Sequence, residues 1–162
     1  MKAENIKFRA KRTDDGVWVY GDLAHVHRIN TKEQAEQSGR RTEPVVRVAY
    51  SDVDEDTIGQ YTGFKDENGR EIYEGDIVDW TFFYTGNYNG GAVECDTIVT
   101  GIIEWYQGGF ILKVINNDFE DAGQYSISDL NTDTTSDVVV KGNIHDNKEL
   151  LAKGGEEWNT TK

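Results

Sequence analysis

The sequence predicts a mainly β protein: a small SH3-like barrel or roll, an N-terminal β subdomain before it and a short helix at the C-terminal end. Three observations carry that prediction. The chain has 162 residues with 17 Gly and a single Pro, and many Thr, Val, Ile and Tyr, a mixture that favours strands and tight turns over helices. Short apolar runs with period-two alternation recur between turn residues. The one convincing helix signal comes late, at Asn147 to Ala152, where an Asn cap precedes Leu150 and Leu151 and Gly154-Gly155 stops the run.

The elements follow in order. Ile6 to Arg9 and Val17 to Tyr20 read as strands around the turn Asp14-Asp15-Gly16, with Trp18 and Tyr20 on one face and Val17 and Val19 on the other. Residues 23–29 fit a third strand. Thr31 to Gln37 fits either a helical turn or a loop, because its apolar content is low. Pro44 to Tyr50 is a strand, and Ser51 to Asp56 an acidic loop. Gln60 to Val78 reads as strand, turn and strand, with Asn68-Gly69 suited to a two-residue hairpin turn and Gly75 as a bend. Thr85 to Gly91, rich in Gly and Asn, reads as a loop. Thr97 to Trp105 and Phe110 to Ile115 form the clearest hairpin, turned at Gln107-Gly108-Gly109. Asn116 to Gly123 is an acidic loop, and Asp137 to Asn143 a last strand. The strands near Gly75 to Val78, 97–115 and 138–143 are the ones expected to close the barrel. The expected division is residues 1–60 as the N-terminal subdomain, 61–155 as the barrel and 156–162 as a frayed tail.

The 60–78 stretch closely resembles the signature of the YopX family of phage and prophage proteins. The matching residues are Tyr61-Thr62-Gly63, Lys65-Asp66, Asn68-Gly69 and Glu71-Ile72-Tyr73-Glu74-Gly75-Asp76-Ile77-Val78. Ile6 to Ala10, Trp18 to Leu23 and Val140 to Leu151 resemble that family's opening, second and closing segments, in the same order. Lys11 stands where many members have Trp, and Lys148 where they often have Pro. Thr81 to Thr97 looks like a polar insertion. The resemblance implies a mostly β fold with an SH3-like portion. It implies no reaction, because the family has no established activity.

Charge narrows the partners. The net charge is −13. Residues 1–50 carry 10 Lys or Arg against 7 Asp or Glu, and residues 51–162 carry 7 against 23, so the two parts stand at +3 and −16. Such acidity repels nucleic-acid phosphates, so direct nucleic-acid binding is not expected. It suits solubility, attraction to a basic partner, or imitation of DNA's charge. No apolar run approaches bilayer length and the polar start is unlike a signal peptide, so the expected location is the bacterial host cytoplasm.

Chemistry is sparse. Cys95 is the only cysteine and lies between Glu94 and Asp96, which disfavour a thiolate. His25 and His27 share a strand face and form the nearest approach to a metal pair, although two partly exposed strand histidines are the simpler reading. Asp52-x-Asp54-x-Asp56 and Asp129-x-Asn131-x-Asp133 begin like calcium loops but lack the Gly and Glu that complete one. Glu71, Glu74 and Asp76 could serve acid–base hydrolysis. The simpler role of Asp76 is to accept backbone hydrogen bonds at the Gly75 bend.

The expected function is therefore a non-enzymatic, cofactor-free protein-binding or assembly module whose partner is a host or phage protein. Trp18, Tyr20, Tyr61, Tyr73 and Asp76 are its candidate binding residues, and a homo-oligomer is expected. The alternatives are an acidic DNA mimic that inhibits a DNA-binding protein, and a hydrolase using the signature carboxylates.

Overall fold

The computed structural model describes residues 6–88, 91–117, 124–127 and 137–152, with the backbone alone at 82–88, 91–97, 116, 117, 137 and 152. The chain is mainly β and divides into two compact units, Met1–Tyr61 and Thr62–Lys162.

In the first unit β1 (Phe8–Lys11) pairs antiparallel with β2 (Trp18–Gly21), and its other edge meets Gly59 and Gln60 at the start of β6 (Gly59–Lys65). A second antiparallel group runs β3 (Leu23–Ile29), β4 (Thr42–Val48), β5 (Ser51–Asp52). Between β3 and β4 lies α1 (Lys32–Ser38), which buries no residue. Its ends explain why a helix forms at all. Thr31 accepts from the Gln34 N–H while the Gln34 side chain accepts from the Thr31 N–H, and Gly39 closes the other end in a left-handed conformation. Ala10, Val46, Val48 and Val53 form the core, flanked by Phe8, Val19, Leu23 and Ile58.

The second unit is organised around one five-stranded antiparallel sheet, ordered β11-β10-β9-β8-β12. Its strands are β8 (Asp76–Tyr88), β9 (Gly91–Tyr106), β10 (Gly109–Asn117), β11 (Gln124–Ser126) and β12 (Asp137–Asn143). The short strand β7 (Glu71–Tyr73) neighbours β6, and α2 (Lys148–Ala152) ends the described chain. Ile72, Val78, Trp80, Val99, Ile103, Leu112, Ile127, Val138 and Val140 form the core. Trp80 meets Tyr125 edge to face at 5.2 Å. Each fully buried Val, Leu or Ile here contributes about 1.5–3 kcal/mol.

Three expectations change. The strands chosen for a barrel do come together, but as an open sheet: no pairing among the described residues joins β11 to β12. The stretch from Thr85 is strand through Tyr88 rather than loop. Thr85, Gly86, Asn87 and Tyr88 pair with Glu94, Val93, Ala92 and Gly91, because cross-strand pairing in a long hairpin overrides the poor strand propensity of Gly and Asn. The signature turn holds three residues instead of two. Asp66 N–H donates to Arg70 C=O and Gly69 N–H to Asp66 C=O, with only Gly69 at positive φ (78°), the pattern of a type I turn followed by a left-handed residue. The two-residue turn appears elsewhere, at Gln107-Gly108, where both residues have positive φ. Residues 118–123 of the expected acidic loop, the Asp129 triplet, Gly154-Gly155 and the tail lie outside the described residues.

Close packing makes a sharp prediction at two glycines. A Cβ on Gly142 would overlap the Asn147 side chain, whereas one on Gly109 would meet nothing within 4 Å. Urea unfolding should show Gly142→Ala losing about 1–3 kcal/mol. Gly109→Ala should change stability by no more than about 0.5 kcal/mol.

Candidate functional site

The signature folds into a set of carboxylates and glycines that satisfy backbone groups. Asp66 is the centre and is nearly buried. Its Oδ1 accepts from the Asn68 and Arg70 N–H groups at 2.9 and 2.8 Å, and its Oδ2 accepts from the Val140 N–H at 3.2 Å. One side chain therefore closes the turn and ties it to β12, 74 residues away along the chain. Glu67 N–H adds a bond to Val138 C=O. Thr62 Oγ1 donates to Ile72 C=O at 2.8 Å.

The Gly75 bend is the second anchor. Gly75 has φ 80°, its N–H donates to Ile103 C=O, and its own C=O accepts from the Ile144 N–H. Asp76, with no exposed surface, accepts from the Tyr73 N–H through Oδ2 at 2.8 Å. This is the structural role expected of Asp76. Tyr73 is buried and its hydroxyl donates to Glu71 Oε2 at 2.7 Å. The closing segment has the same character. Asn143 Oδ1 accepts from the His145 and Asp146 N–H groups, and Asn147 Oδ1 accepts from the Asn143 N–H.

The first unit holds the other candidate residues. Alternation puts Lys7, Arg9 and Lys11 on one face of the N-terminal strand, with Arg9 opposite Tyr20 and Lys11 opposite Trp18. The Arg9 guanidinium lies 4.9 Å and the Lys11 ammonium 5.5 Å from the centre of the Trp18 ring. The Lys7 ammonium lies 4.5 Å from that of Tyr61, within cation–π range. Tyr61 is buried, Trp18 partly buried and Tyr20 54% exposed. The candidates thus fall into two groups: Trp18, Tyr20 and Tyr61 in the first unit, Tyr73 and Asp76 in the second. Of the five, Tyr20 presents most surface.

Two features escaped the sequence reading. Arg28 donates to Glu43 and Asp52, and Arg47 Nε donates to Asp52 Oδ1 at 2.6 Å. Asp52 is thereby engaged by two guanidiniums, and Asp54 caps the 3-10 turn Glu55–Thr57, so two members of the Asp52–Asp56 triplet have roles within the fold. Second, Ala49 and Tyr50 both take positive φ in the turn from β4 to β5. Tandem left-handed residues in a Val-rich stretch leave no mark on the sequence. Asp66 did leave one, as an Asp two residues before Asn68-Gly69.

His25 and His27 are exposed on β3 and line a shallow concavity of about 320 Å³ with Pro44 and Glu55. No group of three or more metal-ligating side chains forms among the described residues. The side chains of Glu94, Cys95 and Asp96 lie outside the described set. No helix among the described residues is long and apolar enough to cross a membrane.

These observations define a two-unit β protein whose most distinctive motif is structural scaffolding. The YopX family model, described as YopX protein, matches residues 7–152, and the chain belongs to that family. The crystal structure of protein EF1440 from Enterococcus faecalis is similar over 90% of this chain and 97% of that one, at 23% identity and a TM-score of 0.44. A comparison with curated proteins finds no match.

Asp66→Asn replaces one acceptor oxygen by a donor. It should cost about 1–3 kcal/mol in denaturant unfolding, through a buried N–H left without its partner. Asp52 predicts a pH signature. Its carboxyl is held below the ordinary 3.8, chiefly by the hydrogen bond from Arg47, with the charges of Arg47 and Arg28 adding and burial opposing. A depressed carboxylate contributes stability that is present above the unfolded-state value and is lost as pH falls through the folded one. Thermal melts across that acid range should show a smaller pH-dependent loss in Asp52→Asn than in the natural protein.

Proposed function

We propose that this chain is a non-enzymatic accessory protein of phage or prophage type. It works in the host cytoplasm as a protein-binding or assembly module, with a host or phage protein as partner. On this reading the five-stranded sheet is the body of an SH3-like module, and neither a cofactor nor nucleic acid is bound directly. The observation that carries the reading is the commitment of the signature carboxylates. Asp66 accepts three backbone N–H groups, Asp76 is buried against the Tyr73 N–H, and Glu71 accepts from the Tyr73 hydroxyl. A hydrolytic pair must reach substrate and exchange protons with it; Asp66 and Asp76, spent on backbone N–H groups inside the fold, serve poorly. Family identity then means a shared scaffold, and function falls to the surfaces that the scaffold presents.

The charge of residues 51–162 favours a second reading, in which the acidic part imitates DNA. Part of that charge is neutralised within the protein, however: Asp79 meets Lys141 and Glu104 meets Lys113.

Affinity capture from host lysate, with and without phage infection, tests the proposal. A protein partner should be retained, and Glu71→Gln should leave retention unchanged. Failure to retain any specific protein under either condition, at low and moderate salt, refutes it. Competition separates the two readings. A DNA mimic must displace DNA from the captured protein, with an affinity that falls steeply with salt.

A further inference from the structure

We propose that Asn68-Gly69 is a latent modification site, where the chain closes on itself to a succinimide and passes to isoaspartate, and that the signature turn keeps the site shut while the protein is folded. The inference is independent of the partner and the assembly proposed above.

The reaction needs only this chain and water. The Gly69 backbone nitrogen attacks the side-chain carbonyl carbon of Asn68. A C–N bond forms, the Gly69 N–H proton passes through solvent to the departing amide, and the bond from that carbon to Nδ2 breaks, releasing ammonia. Water then opens the five-membered imide at either carbonyl. One opening yields Asp; the other routes the main chain through the side chain and yields isoaspartate. Asn is a chemically labile residue, and a following Gly, lacking a side chain, leaves its nitrogen least hindered.

The reacting groups are at hand. Asn68 and Gly69 are both exposed, and a Cβ on Gly69 would meet nothing within 4 Å. The Asn68 backbone N–H is bound to Asp66 Oδ1, but no hydrogen bond holds the Asn68 side-chain amide among the described residues. The turn demands Gly69, whose φ is 78°. It does not demand an amide at position 68, because this place in a type I turn suits most residues.

Backbone geometry withholds the reaction. A planar imide requires the Gly69 nitrogen to eclipse the Asn68 Cβ about the Cα–C bond. Asn68 is the third residue of the type I turn, where ψ is about 0°. At that angle the Gly69 nitrogen eclipses the Asn68 backbone nitrogen instead. Rotation to the reactive angle breaks the 2.9 Å bond from Gly69 N–H to Asp66 C=O and carries the Arg70 N–H away from Asp66 Oδ1. Asp66 is itself fastened to β12 through the Val140 N–H, so the turn resists that rotation. Isoaspartate lengthens the main chain by one atom inside the turn, and these bonds then cannot all re-form. The modification is thus a one-way mark on chains whose turn has opened.

Incubation of the full chain at mildly alkaline pH, in native buffer and in guanidinium chloride, tests this, with conversion at each Asn followed by peptide mapping and mass spectrometry. Asn89-Gly90 is the other such dipeptide in the sequence and supplies the intrinsic rate in denaturant, where the two should convert alike. In native buffer Asn68 should convert more slowly than in denaturant by about tenfold or more, since reaction waits on local opening. Asp66→Ala should speed native conversion at Asn68 by about tenfold. Gly142→Ala, which weakens the same unit away from the turn, should leave that rate unchanged. If Asp66→Ala does not fold, Glu67→Gly replaces it, loosening the turn through backbone freedom alone. Converted chains returned to native buffer should unfold at lower denaturant concentration than unconverted ones. Equal rates at Asn68 in the two buffers, equal acceleration by Gly142→Ala and the turn variant, or an unchanged unfolding midpoint after conversion would each overturn the proposal.

Discussion

The signature turn and the buried strand beside it leave backbone N–H groups that need acceptors, and the Asp66 carboxylate meets that demand. It accepts from Asn68 and Arg70 within the turn and from Val140 on a distant strand. An ionised carboxylate offers about four acceptor positions in a fixed plane and makes stronger bonds to N–H groups than a neutral acceptor does. Burying it alone would be costly, but three donors offset that cost. The edge strand β12 is held in register beside β8 partly by this bond, and the sheet core through Val138 and Val140 depends on that register. A one-residue slip would turn both valines to the opposite face.

Gly75 extends the same logic. With φ 80° it lets the chain turn from β7 into β8 while its N–H and C=O reach Ile103 and Ile144. Asp76 then fastens the turn from inside. The Gly142-Asn143 pair and Asn147 repeat the device near the C-terminal helix, with a side-chain amide in place of a carboxylate. Three separated segments, Asp66 to Asp76, Ile103 and Val140 to Asn147, thereby become one hydrogen-bonded assembly. This accounts physically for a signature that is long and specific: its Asp and Gly residues meet the demands of backbone geometry.

Legibility in the sequence followed the range of the interaction. The 97–115 hairpin, the strand at 137–143 and the short helix from Lys148 were readable because alternation, turn residues and helix-start signals are local. The Gly75 bend and the structural role of Asp76 were readable for the same reason. The open sheet was not, since closure depends on which strand edges meet, and alternation is silent on that. The extension of strand through Thr85 to Tyr88 also escaped, because pairing with 91–94 outweighs what Gly and Asn prefer in isolation. Among the candidate binding residues, aromaticity alone could not separate the exposed Tyr20 from the buried Tyr61 and Tyr73. Nor could it mark Tyr50, whose distinction is a backbone angle.

The contrast between these tyrosines bears on where function lies. Tyr73 belongs to the signature and is consumed by it: the ring is buried and the hydroxyl is fastened to Glu71. Tyr50 lies outside the signature, makes a strained turn and gives its ring to solvent. A residue retained for stability should lie near its conformational minimum or bury enough surface to offset the departure. Tyr50 does neither, so selection for stability alone would replace it with glycine or asparagine. In a chain whose most recognisable motif serves the fold, the residues that disobey local rules without a packing reward point to function more directly than the motif does.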